Sequence, residues 1–259
     1  MKQKKIDIVI SLGLLVIIWQ IVSVVLEKNT VVFPAPMQVV DAFQELFWDG
    51  LKGSTSSVTL PGHIGISLIR FAIGYLTAAV AGIFLGLILG SFPKAFAIVN
   101  PAIQVIRPIA PVAFMPFIVL WFGIGDVPAV VIIFIAGFFP ILLSTVSAVE
   151  HLNPIYYKVA RNFGISKAKT IFGIAFPAIF TQIANALRLA LGTSWIFLVS
   201  GEMVGAQSGL GFLIMDSKNC IRYDALLATM ITIGVIGFLL DALLRLLERE
   251  IGHRFGFVN

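Results

Sequence analysis

Long apolar runs alternate with short polar punctuation along this chain. Val127–Val149 carries no charged residue, and uncharged runs recur at Ile8–Leu26, Phe71–Ser91, Leu189–Gly201 (extended backwards past Arg188) and Ala225–Leu240. A helical membrane span needs about 20 mainly apolar residues, so each run predicts one. The stretch 96–122 holds Arg107 as its sole charge, but Pro101, Pro108, Pro111 and Pro116 interrupt it. Proline removes a helical hydrogen bond and kinks the helix. A sixth span is expected there, either broken and mobile, or shortened behind a re-entry segment that runs to about Pro111. The pattern therefore predicts an all-α membrane protein with six transmembrane helices.

Composition agrees with that reading. The 259 residues are 59% hydrophobic and 12% charged, whereas a soluble domain carries about 25% charged residues. Lipid must supply part of the solvent. The net charge of +5 need not mean nucleic acid, because positive charges gather on the cytoplasmic side of membrane proteins. With six spans and both termini cytoplasmic, Lys2, Lys4, Lys5, Lys94, Arg107, Lys158, Arg161, Lys167, Lys169, Arg245, Arg249 and Arg254 fall inside. Lys28, Lys52, Lys218 and Arg222 fall outside, with Asp41, Glu45, Asp49, Asp126, Glu202, Asp216 and Asp224. The first run follows MKQKK, as a signal peptide would, but it is longer than a signal core and no Ala-x-Ala site follows it. It reads as a retained span. Cys220 is the single cysteine, and His63, His151 and His253 lie far apart, so neither a disulfide nor a metal-ligand spacing is present.

Between the spans, Val39–Trp48 is expected as an interfacial helix and Lys52–Ser57 as a flexible stretch. An amphipathic turn around His63–Arg70 is expected to lead into the second span. Gly74, Gly82, Gly86 and Gly90 share a helix face, a spacing that lets helices approach closely. The segment Asn153–Pro177 is the most distinctive. Asn153 suits an N-cap and Pro154 the first helical position, and Gly164 suits the residue after a helix end. Ile155, Val159 and Phe163 form one apolar stripe, Lys158 and Arg161 lie on another face, and Ser166 can cap a second short helix. Such a segment is either a docking element for a soluble partner or a plain interfacial helix.

At this segment the chain resembles the permease subunit of a binding-protein-dependent ABC importer. Those permeases carry a cytoplasmic pattern of E-A-A, three residues, G, nine residues, I-x-L-P. Here it falls on Lys158-Val159-Ala160, Gly164 and Ile174-Ala175-Phe176-Pro177. The Ala, Gly, Ile and Pro match, whereas Lys158 and Val159 replace the Glu and first Ala, and Phe176 replaces the Leu. HIGISLIRFAIGY (63–75), RPIAPVAFMPFIVLWFGIG (107–125) and GEMVGAQSGLGFLI (201–214) are similar to the nitrate, sulfonate, taurine and bicarbonate branch.

The resemblance implies a type I ABC importer permease fold. Its parts would be an N-terminal transmembrane helix (1–30), an extracytoplasmic segment (31–62), a five-helix core (63–248) and a cytoplasmic tail (249–259). A coupling loop at 150–177 would dock a cytoplasmic ATPase dimer through Val159, Ala160, Arg161, Phe163, Gly164, Ser166, Lys167 and Pro177. An extracytoplasmic binding protein and a second permease copy complete the expected assembly, in a prokaryotic plasma membrane. ATP and Mg would sit on the ATPase. This chain has no G-x-x-x-x-G-K-[ST] motif, and no cofactor of its own is expected.

Charges inside spans are costly and point to function. Arg188 is a candidate for attracting an anionic substrate, or else for bracing a neighbour or snorkelling. Thr193, Ser194, Trp195 and Glu202 follow it as candidates for the translocation pathway. Glu202 has three readings: a partner for a basic group, a contact to the binding protein, or a solvated loop carboxylate. The AQSGLG stretch at Ala206–Gly211 suits an outer gate or a plain turn. A secondary transporter would need mid-membrane carboxylates and an inverted repeat, and a membrane enzyme a nucleophile, a metal or an acid–base constellation. The sequence offers neither set. The expected cargo is a small anion, with a vitamin precursor or another small organic solute as the alternative.

Overall fold

The computed structural model describes residues 2–27, 33–54 and 56–254, and every regular element among them is helical. In chain order these are α1 (Lys2–Glu27), α2 (Pro36–Trp48), α3 (Leu60–Ser91), α4 (Pro93–Ile106), α5 (Met115–Phe122), α6 (Asp126–Glu150), α7 (Ile155–Asn162), α8 (Lys167–Thr170), α9 (Phe176–Ala178), α10 (Phe180–Gly205), α11 (Leu210–Asn219) and α12 (Tyr223–Arg254). A 3-10 turn, Pro111–Phe114, precedes α5, and a π-helical turn, Ile171–Ala175, joins α8 to α9. Lys28 and the last five residues of the expected tail lie outside the described residues.

The helices α3, α6, α10 and α12 are each long and apolar enough to cross a membrane. The Pro-rich region is a pair of helices, Pro93–Ile106 and Pro111–Phe122, bent by 84° to one another, and makes a fifth span if the pair counts as one. The expected six would also need α1, whose described apolar stretch, Gly13–Val25, is shorter than a span. The bend follows from the chemistry: Pro108 and Pro111 deny the backbone two donors and bias the residues before them away from helix.

The chain divides into two units, one of residues 1–66 and 208–235, the other of residues 67–207 and 236–259. In the first unit α2 has three distinct sides. Val39, Ala42 and Leu46 are buried, Val40, Phe43 and Phe47 form an exposed apolar side, and Glu45 is gripped by Arg222 through two 3.0 Å hydrogen bonds. Arg222 also donates to Asp224. Within the stretch expected to be flexible, the Ser54 hydroxyl donates to the Asp216 carboxylate. The expected turn at His63–Arg70 is absent: α3 runs unbroken from Leu60. His63 is buried, and its Nδ1 accepts the Gly209 N–H at 3.0 Å. Gly209 reaches that position with φ +104°, where glycine alone is unstrained.

The second unit is built on α6, which packs along α10 and against α3. Gly74, Gly82, Gly86 and Gly90 of α3 face Ile133, Ile141, Thr145 and Val149 of α6. A Cβ on Gly86 would stand 2.6 Å from the Thr145 Cβ, so the missing side chains set the interhelical distance. At one end Leu87, Ala148, Val149, Ile171, Ile179 and Ile183 form a buried cluster. At the other, Met115, Ile118 and Ile132 form a second.

Candidate functional site

The segment 153–177 is a capped helix rooted in the core. The Asn153 side chain accepts the Ile155 N–H at 3.0 Å, so the cap forms, and α7 begins one residue later than expected, at Ile155 rather than Pro154. At the other end the Gly164 N–H donates to Arg161 O (3.1 Å) and the Ile165 N–H to Ala160 O (2.9 Å). That pair of bonds is the Schellman closure, which needs a left-handed residue, and Gly164 supplies it with φ +67°. The Ser166 side chain accepts the Lys169 N–H and caps α8.

On α7, Ala160 is buried while Ile155, Val159 and Phe163 are exposed, Phe163 by 79%. The predicted stripe is thus an apolar face that none of the described residues covers. The loop's second half carries the opposite pattern. Ile171 and Ile179 enter the core cluster of α3, α6 and α10, and Phe176 packs against it. Pro177 sits in the first turn of α9, directly before α10. The loop is thus tied to α10 through buried side chains, across a π-turn of the kind that recurs at functional sites.

The pathway candidates separate into two groups on α10. Thr193 is exposed; Ser194 and Trp195 are buried inside the subunit, Ser194 donating to Ile133 O and Trp195 lying edge-on to Phe71. Arg188 forms a 2.9 Å ion pair with Asp241, which Arg245 also grips. Glu202 is no loop carboxylate. It lies in α10, fully buried, and accepts from Arg70 Nη1 and from the Ser67 hydroxyl, each at 2.8 Å. Arg70, 3% exposed, also binds Asp126 at the start of α6.

Sequence reading named Thr193 but missed the rest of its set. Gln182, Asn185, Thr193 and Ser200 recur at helical spacing on the accessible side of α10, with Leu189 and Ile196 among them. Polar residues on a lipid-facing side are expensive, so the stripe points to water or protein rather than lipid. Its signal was present in the three- and four-residue spacing of small polar residues through an apolar run.

Described elements that are all helical, several of membrane length, with an inter-span loop built as a capped, apolar-striped helix, define a multi-pass membrane protein. The family described as binding-protein-dependent transport system inner membrane component matches residues 78–253, and the chain belongs to it. The chain is 30% identical to the taurine transport system permease protein TauC of Escherichia coli, over 96% of this chain and 90% of that protein. It is 32% identical to the nitrate import permease protein NrtB of Synechocystis sp., over 92% and 86%. With the bicarbonate transport system permease protein CmpB of Synechococcus elongatus it shares 34% identity over 71% and 67%. In three dimensions it is similar to a chain of the MetNI methionine ABC transporter in an inward-facing crystal form, with TM-score 0.64 and 20% identity, covering 76% of this chain and 95% of that one. The fold is that of an ABC importer permease.

Proposed function

We propose that two copies of this chain form the translocation path of an ATP-driven importer for a small oxyanion such as a sulfonate, nitrate or bicarbonate. An extracytoplasmic binding protein delivers the cargo, and two separate cytoplasmic ATPases, which hold ATP and Mg, supply the energy. Both termini and α7 lie on the cytoplasmic side, in keeping with the distribution of Lys and Arg.

The observation that carries this reading is the exposed stripe Ile155, Val159 and Phe163 at the head of a loop whose second half, from Ile171, enters the span core. An amphipathic helix presenting apolar residues at this spacing suits a groove on a partner. Gly164, Ser166 and Lys167 shape and flank that helix. The path itself runs along Gln182, Asn185, Thr193 and Ser200, faced by the same stripe of the second copy. Arg188, Ser194, Trp195 and Glu202 support this wall from behind. The names of the relatives favour small anions, and a small organic solute is the alternative that transport assays separate.

The test is ATP hydrolysis by the chain reconstituted with its ATPase, with and without loaded binding protein. Stimulation by the binding protein is expected, and Val159→Asp or Phe163→Asp abolishes it while membrane insertion persists. Conductance or transport by the chain alone, indifferent to these substitutions, overturns the reading.

A further inference from the structure

The segment before α2 doubles back along α1. The Trp19 indole N–H donates to Pro34 O at 3.1 Å and the Ser23 hydroxyl to Phe33 O at 3.2 Å, and the Trp19 and Phe33 rings meet edge-on. Trp19 stands about two turns, roughly 12 Å, before the end of α1 at Glu27. Thus α2 starts at Pro36 beside the apolar stretch Gly13–Val25, not beyond the end of that helix, and the two helices touch.

That stretch of α1 shows what surrounds it. Leu14, Leu15, Val16, Ile17 and Ile18 are all exposed, and five successive residues at about 100° each go round the whole helix. From Gly13 to Val25 the shielded residues are Trp19 and Ser23, the two that bond the returning segment. A protein partner covers one side of a helix, whereas a helix apolar all round is satisfied on every side by hydrocarbon. The neighbouring α2 brings an exposed apolar side of its own, Val40, Phe43 and Phe47. The Phe43, Phe47 and Trp48 rings are in contact, and Trp48 is exposed, as suits the membrane–water interface. Asp41 is exposed on the other flank of the helix. We propose that the Val40, Phe43 and Phe47 side of α2 is seated in the bilayer interface, with Asp41 in water. Through Glu45 and Arg222 the helix then tethers the corner between α11 and α12 to the membrane. The proposal draws nothing from the import cycle, so its test succeeds or fails independently of the function proposed above.

Nitroxide labels on the full chain in nanodiscs test it. On a background with Cys220→Ser they are attached through Val40→Cys, Phe43→Cys, Phe47→Cys and Asp41→Cys, with Ile18→Cys as the lipid reference. Collision with oxygen, which concentrates among acyl chains, is measured against collision with a nickel chelate, which stays in water. The oxygen-to-nickel ratio is expected to be several-fold higher at the three apolar positions than at Asp41, and to resemble that at Ile18. A ratio at the three positions equal to that at Asp41 overturns the proposal in favour of a water-facing side. Low collision with both reagents there overturns it in favour of a packed protein partner, such as a second copy. A label at Ile18 that behaves like the one at Asp41 overturns it too, because α1 is then not in lipid. For the tether, the Phe43→Asp, Phe47→Asp double variant is expected to raise hydrogen exchange at the α11–α12 corner several-fold while α6 is unchanged. Unchanged exchange at the corner overturns the tether.

Discussion

Glu202 and Arg70 show how far a single charge depends on its neighbours. Both are buried, and each satisfies the other inside helix-packed protein. Removing one partner from such a pair strands a desolvated charge, which costs about 3–5 kcal/mol. Glu202→Gln is therefore expected to lower the unfolding free energy in detergent by about 3 kcal/mol. Asp126 also binds Arg70, but its side chain is 73% exposed, and exposed ion pairs contribute about 1 kcal/mol or less. Asp126→Asn is expected to stay within that limit, and denaturant titration of the two variants separates the roles. The sequence marked Glu202 as a candidate for pairing with a basic group but did not show that Arg70 is the partner, because 132 residues separate them. Ile221 was still less legible. It occupies a left-handed conformation, φ 56°, in a Schellman closure of α11 that brings Arg222 towards Glu45. A β-branched residue there costs about 1–2 kcal/mol, and asparagine adopts this conformation readily. Ile221→Asn is expected to stabilise the protein by about 1 kcal/mol in the same titration.

At the scale of elements, periodicity was the legible part. Four of the apolar runs marked helices long enough to span a membrane, and the caps and stripe of 153–177 marked α7, because both depend on residues within a few turns of each other. The glycine face of α3 was legible too, although its partner was not. Gly86→Ala places a methyl carbon 2.6 Å from the Thr145 Cβ, and overpacking of that kind costs about 1–3 kcal/mol. Gly234→Ala meets nothing within 4 Å and is expected to be neutral or slightly stabilising. Thermal melts of the two variants check the contrast. The tie from Ser54 to Asp216 was not legible, because the two lie far apart along the chain. The hold on α2 has a pH signature. Hydrogen bonding from Arg222 keeps the Glu45 carboxyl below its ordinary value of 4.5. The folded carboxyl thus loses its proton more readily than the unfolded one. Its stabilisation is complete above pH 4.5 and is lost as pH falls further, through the depressed folded value. Hydrogen exchange of α2 should show constant protection down to that range and a loss below it. Glu45→Gln should weaken protection at neutral pH and remove the acid step.

At the scale of the whole molecule, the outer surface of this chain poses a question that accessibility alone does not answer. Thr193 and Asn185 of α10 are exposed, and so are Phe238 and Leu243 of α12, Phe238 by 70%. In the isolated chain the two sets are equally open; what distinguishes them is polarity. The face of α12 carries Phe238, Leu239, Leu243 and Leu246, which lipid tails solvate well. The face of α10 interleaves Gln182, Asn185, Thr193 and Ser200 with its apolar residues; the Thr193 and Ser200 hydroxyls bond back to their own helix, but hydrocarbon offers nothing to the amides of Gln182 and Asn185. A second copy facing that stripe across a water-filled path, as proposed above, would satisfy them. On a background with Cys220→Ser, Thr193→Cys and Asn185→Cys are therefore expected to react with a membrane-impermeant charged thiol reagent. Phe238→Cys and Leu243→Cys should remain unlabelled until detergent removes the lipid. If the path opens and closes with ATP, labelling at Thr193→Cys also changes when nucleotide is trapped on the assembled complex, whereas labelling on α12 does not. Equal reactivity of the two faces in the bilayer would detach the polar stripe from the path and leave it as a dry interface between copies. Thiol labelling followed by mass measurement therefore decides between the two, because hydration is the property in which a path and a packed interface differ.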